Sequence, residues 1–153
     1  FFKDGSNIAT YLFNGDAKDA MGAYSGDVYG TATYVDGKFG QALHQEGNSN
    51  YTNLNIKPSF GATPITFSLW AKGDINLSNY RYKVSYGTFF LNTSLNNVNL
   101  SFRATESATQ TYPILSLQAT DVDNTKFNHI CVVINNLSVT LYVNNKAYTG
   151  TLP

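Results

Sequence analysis

The sequence has few of the residues from which thiol or histidine chemistry is built. Its 153 residues include one Cys and two His, and charged residues make up only 13% of the chain. A single cysteine excludes an intramolecular disulfide. Cys131 stands between Ile130 and Val132, a setting typical of a buried thiol that packs as a small apolar group.

The charge pattern lacks any excess of one sign. Ten basic residues balance ten acidic ones, and no Lys/Arg cluster is present. Nucleic-acid binding requires a basic surface, so no nucleic acid partner is expected.

Long apolar runs are also missing. No run approaches the roughly 20 residues that a membrane-spanning helix needs, and the N-terminal Phe-Phe-Lys-Asp-Gly-Ser has no signal-peptide pattern. We therefore expect no membrane insertion, and a chain that is soluble or processed.

What the sequence does contain favours β-structure. Tyr and Phe number 11 and 10, and Asn and Thr are abundant, which is the composition of strands and turns. The length fits one domain over residues 1–153. We expect an all-β fold with almost no helix.

The clearest pattern is a β-hairpin. Residues 130–134 form an apolar, β-branched run, and residues 139–143 alternate apolar and polar side chains with the period of a strand. Asn144 and Asn145 tolerate positive φ and predict a tight turn into a further strand at 146–148. Shorter strands are predicted at 8–13, 28–35, 38–43 and 51–56, with a turn at Asp36-Gly37. The predicted core between the sheets comprises Trp70, either Leu69 or its alternate Phe67, and Ile130, Val132, Leu141 and Val143.

The candidate ligand-binding residues lie in the least regular part of the chain. Strand alternation places Tyr80, Tyr82 and Tyr86 on one face, with Arg81 on the other. The Tyr rings beside a cation are candidates for stacking on sugar rings. The alternative, which aromatic residues in strands favour, is that they cover the core.

Several segments, in this order and spacing, resemble the laminin G-like branch of the concanavalin A-like lectin/glucanase superfamily. They are residues 11–19, 34–43, 51–54, 65–72, 127–130 and 141–146, together with Gly47. The resemblance implies an antiparallel jelly-roll sandwich of two curved sheets. The sequence departs from the family at Gln45 and Glu46, at Phe127 in place of Trp, and after Gly150, where the family's closing C-terminal strands are expected.

Glycosidase chemistry needs two carboxylates placed across the scissile bond. Glucanases of this superfamily carry a Glu-x-Asp-x-Glu motif, whereas Glu46 and Glu106 are isolated here. His44 and His129 are predicted to be structural, without Glu or Ser partners. The chain is therefore read as non-catalytic.

Some laminin G-like relatives hold Ca²⁺ at rim loops, and the matching metal candidates are Asp16, Asp19, Asp121 and Asp123. Solvated turn aspartates are the favoured interpretation. No cofactor is expected, and Ca²⁺ is the alternative.

The resemblance implies a recognition module, outside a cell, on a cell surface or on a virion, that binds carbohydrate or mediates adhesion. The alternative is a structural or decorating subunit of a virion, tail fibre or filament that binds neighbouring protein subunits. Phage and microbial surface proteins carry similar domains. Without a closing strand, the strand at 8–13 would leave an open sheet edge, which predicts a fragment of a longer polypeptide or assembly through that edge.

Overall fold

A computed structural model describes residues 6–47, 49–56, 64–82, 87–94, 96–107 and 110–153. For residues 77–82, 87–89, 103–107 and 110–114 it describes the backbone alone. The chain forms two compact units, Phe1–Pro58 and Ser59–Pro153. Every strand pair in the described residues is antiparallel, as predicted. These residues include no helix that could cross a membrane.

The first unit contains four short strands. They are β1 Asp27–Tyr29, β2 Thr33–Asp36, β3 Gln41–His44 and β4 Tyr51–Asn53. β1 pairs with β4, and β2 pairs with β3 across the predicted turn, where the Gly37 N–H donates to the Gly40 carbonyl at 2.8 Å. The single strand predicted over 28–35 is wrong, because Gly30 at φ 75° separates β1 from β2.

The strand predicted at 8–13 is also wrong. This segment makes one isolated bridge, between Tyr11 and Asp19. The Thr10 N–H donates to the Asp19 carboxylate at 2.8 Å instead of to a neighbouring strand, and Phe13 has a positive φ of 53°. The Asp19 side chain therefore accepts a hydrogen bond that a neighbouring strand would otherwise accept. The open strand edge predicted for this segment is not formed.

Asp19 organises the loop that follows this segment. Its buried carboxylate accepts four backbone N–H groups: Oδ1 accepts those of Thr10 and Met21 at 2.8 and 2.9 Å, and Oδ2 accepts those of Ala23 and Tyr24, both at 3.1 Å. Burial opposes ionisation of this carboxyl, but the four donated hydrogen bonds outweigh it and hold its pKa below the usual range.

In its described residues the second unit contains two four-stranded sheets. Its strands are β5 Ile65–Ala71, β6 Asn76–Tyr82, β7 Gly87–Ser94, β8 Asn97–Ser107, β9 Gln110–Ala119, β10 Asn128–Asn135, β11 Ser138–Val143 and β12 Lys146–Thr151. One sheet has the order β12-β11-β10-β5 and the other β6-β7-β8-β9. The predicted hairpin is confirmed as β10 and β11, and Asn144 and Asn145 turn the chain into β12 with φ of 47° and 71°.

The inner faces of the two sheets share one apolar core. Ile130, Val132, Leu141 and Val143 are buried in it, as predicted, and Phe67 and Leu69 pack against it half-buried. The second sheet contributes buried Leu91, Val98, Leu100 and Phe102. The unit is therefore the antiparallel β-sandwich expected from the sequence.

Trp70 is the exception in the predicted core. It is 41% exposed, because side chains alternate along β5 and the inner positions are taken by Phe67 and Leu69. The prediction that Trp70 lies between the sheets is wrong, since its ring stands on the outer surface.

Candidate functional site

The outer surface of sheet β12-β11-β10-β5 carries a set of uncharged side chains around Trp70. Strand alternation and register bring together Thr66, Ser68, Trp70, His129, Cys131, Val133, Thr140, Tyr142, Ala147 and Thr149. We call this set the Trp70 face. It contains no Asp, Glu, Lys or Arg, so its contacts to a ligand rest on apolar area, aromatic rings and neutral hydrogen-bonding groups.

Trp70, His129 and Ser68 form a packed cluster on this face. Trp70 lies directly opposite His129 in the ladder between β5 and β10. The two ring centroids are 5.1 Å apart, with an angle of 39° between the rings. The Ser68 Oγ lies 2.9 Å from the His129 Nε2. The imidazole is thus held between an indole ring and a hydroxyl.

The start of β10 is fixed by Asn144, which follows β11. The Asn144 Oδ1 accepts the His129 N–H at 3.0 Å, and the Asn144 N–H donates to the His129 carbonyl at 3.0 Å. The Asn144 amide nitrogen also donates to the Asn128 Oδ1 at 2.7 Å. Backbone anchoring on both sides limits the positions that the imidazole can take, so the cluster is preorganised.

The prediction that the two histidines lack Ser or Glu partners is wrong. His129 has Ser68 as a partner, and the His44 Nε2 lies 3.1 Å from the Glu46 Oε1 on an exposed surface. Nucleophilic catalysis also requires a group that orients the imidazole. Among the described residues the His129 ring contacts Ser68 and Trp70, and neither is a carboxylate. This pair is suited to hydrogen bonding with a ligand.

Tyr142 and Cys131 extend the cluster across the sheet. Cys131 lies between Ser68 on β5 and Tyr142 on β11 in the ladder, and Tyr142 is 38% exposed. Cys131 is half-buried on this outer face rather than in the core, and burial raises the pKa of its thiol. With about 4.8 Å between strands and about 3.4 Å per residue along them, Trp70 and Tyr142 stand on the order of 12 Å apart.

Comparison of the sequence with known protein families identifies the family of this chain. The sequence profile of a laminin G family, described as the concanavalin A-like lectin/glucanases superfamily, matches residues 46–151. The chain belongs to this superfamily. The resemblance inferred from the sequence is thereby confirmed. No match is found among curated protein sequences.

A solved structure shares the concanavalin A-like fold of the chain. It is domain 4 of AbnA, a GH43 extracellular arabinanase from Geobacillus stearothermophilus, in complex with arabinotriose. The TM-score is 0.62 at 18% identity, and the match covers 92% of this chain and 72% of that one. At this identity the likeness concerns the fold alone.

The ligand-binding residues predicted from strand alternation lie elsewhere in the chain. Tyr80, Arg81 and Tyr82 belong to β6, an outer strand of the other sheet, and the structure describes their backbone alone. Tyr86 lies outside the described residues. Stacking of sugar on these rings stays a prediction.

Asp16 and Asp19, two of the predicted metal ligands, both lie in the first unit. Both Asp19 oxygens accept backbone N–H groups. The exposed Asp16 accepts the Lys18 N–H at 3.1 Å and lies 3.6 Å from the Lys18 Nζ. A cation at Asp19 would have to displace the hydrogen bonds that organise its loop.

Asp121 and Asp123 lie in the second unit and line one shallow depression of about 330 Å³ with Asn96 and Val122. The Asp123 Oδ2 lies 2.7 Å from the Lys126 Nζ. Hydrogen bonds from Lys126 and Thr125 lower the pKa of Asp123 to about 2. No group of three or more His, Cys, Asp or Glu side chains that could hold a metal occurs among the residues that the structure describes.

We expect millimolar Ca²⁺ to leave the melting temperature unchanged. A ligand that binds only the folded chain raises its stability with the logarithm of ligand concentration over Kd, whereas the Asp19 and Asp123 carboxylates are already engaged by protein donors. Thermal melts with Ca²⁺ and with chelator provide the measurement. A rise of several degrees that the chelator reverses would contradict this expectation.

Proposed function

We propose that the chain is a non-catalytic carbohydrate-binding module that holds uncharged glycans on the Trp70 face, outside a cell or on a cell or virion surface. The observation that carries this proposal is an exposed indole ring beside a fixed Ser68–His129 hydrogen-bonding pair. Ligand sites typically combine such apolar rings with a few polar groups that set orientation.

Each part of the cluster has a separate task in binding a sugar. A sugar ring presents C–H groups on its faces and hydroxyls around its rim. The exposed Trp70 ring offers apolar area for a face. Ser68 and His129 offer a hydroxyl and an imidazole nitrogen to the rim, and Tyr142 adds a second ring farther along the sheet.

Two further observations support a neutral glycan outside the cell. The Trp70 face has no formal charge to pair with a charged group. The AbnA domain, which shares the fold, comes from an extracellular enzyme and was solved with arabinotriose. Arabinotriose is therefore the first ligand to test.

The non-catalytic part of the proposal rests on the placement of the acids. Glycoside hydrolysis uses two carboxylates about 5 to 10 Å apart. The chain has two glutamates, and Glu46 and Glu106 are each isolated in the sequence, outside any Glu-x-Asp-x-Glu motif. On the Trp70 face the described side chains include no carboxylate.

Replacing Trp70 with alanine is expected to weaken glycan binding at least about tenfold, a loss of about 1.4 kcal/mol, because the stacking surface is removed. Isothermal titration calorimetry with arabinotriose and an array of neutral oligosaccharides provides the measurement. Trp70→Phe should retain part of the affinity. Leu137→Ala is the matched control, since Leu137 is 48% exposed and lies outside the Trp70 face.

If Trp70→Ala changed neither the affinity nor the number of bound ligands, the Trp70 face would be rejected as a binding site. Release of arabinose from arabinotriose by the purified chain would reject the non-catalytic assignment. An array that stays blank, with Ca²⁺ present, would favour the alternative of a decorating subunit that binds protein.

A further inference from the structure

The outer surface of the other sheet carries a row of amide side chains. Asn76, Asn92, Asn99 and Gln118 lie side by side across β6, β7, β8 and β9. Asn92 and Asn99 alternate with buried Leu91, Val98 and Leu100, so both amides point away from the core. Four amides in one cross-strand row form a polar track on the side of the sandwich opposite to Trp70.

The amides are linked with one polarity. The Gln118 Nε2 donates to the Asn99 Oδ1 at 2.7 Å, and the Asn99 Nδ2 donates to the Asn92 Oδ1 at 3.2 Å. Each amide has two N–H donors and an oxygen with two lone pairs. These links therefore use half of the Asn99 donors and leave the Asn92 NH₂ group, at the end of the chain of bonds, to donate to a ligand.

The row ends in a shallow depression of about 520 Å³, lined by Asp74, Ile75, Asn76, Asn92, Thr93, Ser94 and Asn99. We call this depression the amide cleft. Its base is fixed by buried Thr93, whose Oγ1 accepts the Ile75 N–H at 2.8 Å and donates to the Gly73 carbonyl at 2.6 Å. The Thr93 N–H also donates to the Ile75 carbonyl at 3.0 Å. These bonds hold the Asp74 segment against β7.

The chemistry of the cleft selects a polyhydroxylated ligand. Asp74 supplies an acceptor, Asn92 supplies donors, and Asn76, Asn99 and Ser94 supply both. Amide and carboxylate groups can form hydrogen bonds with two adjacent hydroxyls of a sugar at once. Among the residues that the structure describes, the lining contains no Lys or Arg to hold an anion and one carboxylate, which is fewer than a calcium site normally uses.

We propose that the amide cleft is a second saccharide-binding site, so that one chain binds two glycans on opposite faces and bridges them. This inference rests on the proposed function for the identity of the ligand class. The two sheets of a sandwich are about 10 Å apart and their outer side chains point in opposite directions. A trisaccharide bound at one face cannot reach the other, whereas two polymer chains can each occupy one.

Calorimetry with arabinotriose tests the number of sites. We expect two molecules bound per wild-type chain, and one in each single-site variant. Trp70→Ala removes the Trp70 site, and Ser94→Arg fills the amide cleft from its exposed rim. Ser116→Arg is the matched control, because Ser116 is exposed on the same sheet and does not line the cleft. A thermal melt of each variant confirms folding.

Light scattering with linear arabinan tests bridging. Wild type and Ser116→Arg should aggregate the polymer, whereas Trp70→Ala and Ser94→Arg should bind it without aggregation. Asn92→Ala should weaken cleft binding at least about tenfold, as loss of a positioned hydrogen-bond donor predicts.

The outcomes separate the two proposals. One wild-type site that Trp70→Ala abolishes and Ser94→Arg leaves intact overturns the amide cleft and keeps the proposed function. One site that Ser94→Arg abolishes and Trp70→Ala leaves intact overturns the Trp70 face and bridging. If arabinotriose does not bind, the same variants are compared on the neutral-oligosaccharide array, and a blank array overturns both.

Discussion

Replacing Asp19 with alanine is expected to lower the free energy of unfolding by about 3 kcal/mol or more, since each buried group left without its partner costs about 1 to 3 kcal/mol. Four backbone N–H groups would lose their acceptor at once. Denaturant titration followed by circular dichroism measures the change. Asp16→Ala is the control, because Asp16 is exposed and accepts one local N–H. Equal midpoints for the two variants would contradict this role for Asp19.

The same carboxylate predicts a dependence on pH. The folded-state pKa of Asp19 is lowered, so its contribution is fully present above the unfolded value of about 3.9 and is lost as pH falls through the folded pKa. Asp19→Asn should lack this part of the stability loss in acid, although in either orientation its NH₂ group would face two backbone N–H donors and destabilise the loop at every pH. Parallel slopes for wild type and Asp19→Asn between about pH 5 and pH 2 would exclude the linkage.

Leu141→Ala is expected to cost about 2 to 5 kcal/mol, the usual range for truncating a buried leucine. Leu141 is fully buried in β11, between Val132 on β10 and Tyr148 on β12 in the ladder. Thr140→Ala, one residue away on the outer face, should change stability far less. An unchanged denaturation midpoint in Leu141→Ala would show that the hairpin is peripheral to the core.

The hairpin could be predicted because its information is local. Val139, Leu141 and Val143 alternate with polar residues, and Asn144-Asn145 accepts the positive φ that a tight turn requires. The segment at 8–13 also looked like a strand. This prediction was wrong because the Asp19 carboxylate, nine residues along the chain, accepts the Thr10 backbone N–H. The residue pattern of the segment does not reveal this hydrogen bond.

The position of Trp70 could have been deduced from β5 itself. Thr66 and Ser68 lie on the same face of the strand as Trp70, whereas Phe67 and Leu69 lie on the opposite face. A face that carries Thr and Ser is an outer face, so the indole had to stand with them. Hydrophobicity alone favoured the core, and the alternation of polar neighbours was the better guide.

The two clusters proposed to bind glycan could be found only from the register between strands. Ser68 and His129 are 61 residues apart in sequence, and the amide row draws one residue from each of four strands. A shift of one residue in any ladder would turn these side chains to the opposite face. Neither cluster could therefore be assembled from spacing in the sequence.

The position of Trp70 also determines what its fluorescence will report. Trp70 is the sole tryptophan of the chain and stands exposed beside an imidazole ring. Its emission should already be that of a solvated indole in the folded state, so unfolding will change the wavelength little. A sugar that covers the ring should shift the emission to the blue. The intrinsic tryptophan fluorescence of this chain should therefore report occupancy of the Trp70 face, whereas a ligand in the amide cleft should leave the emission unchanged.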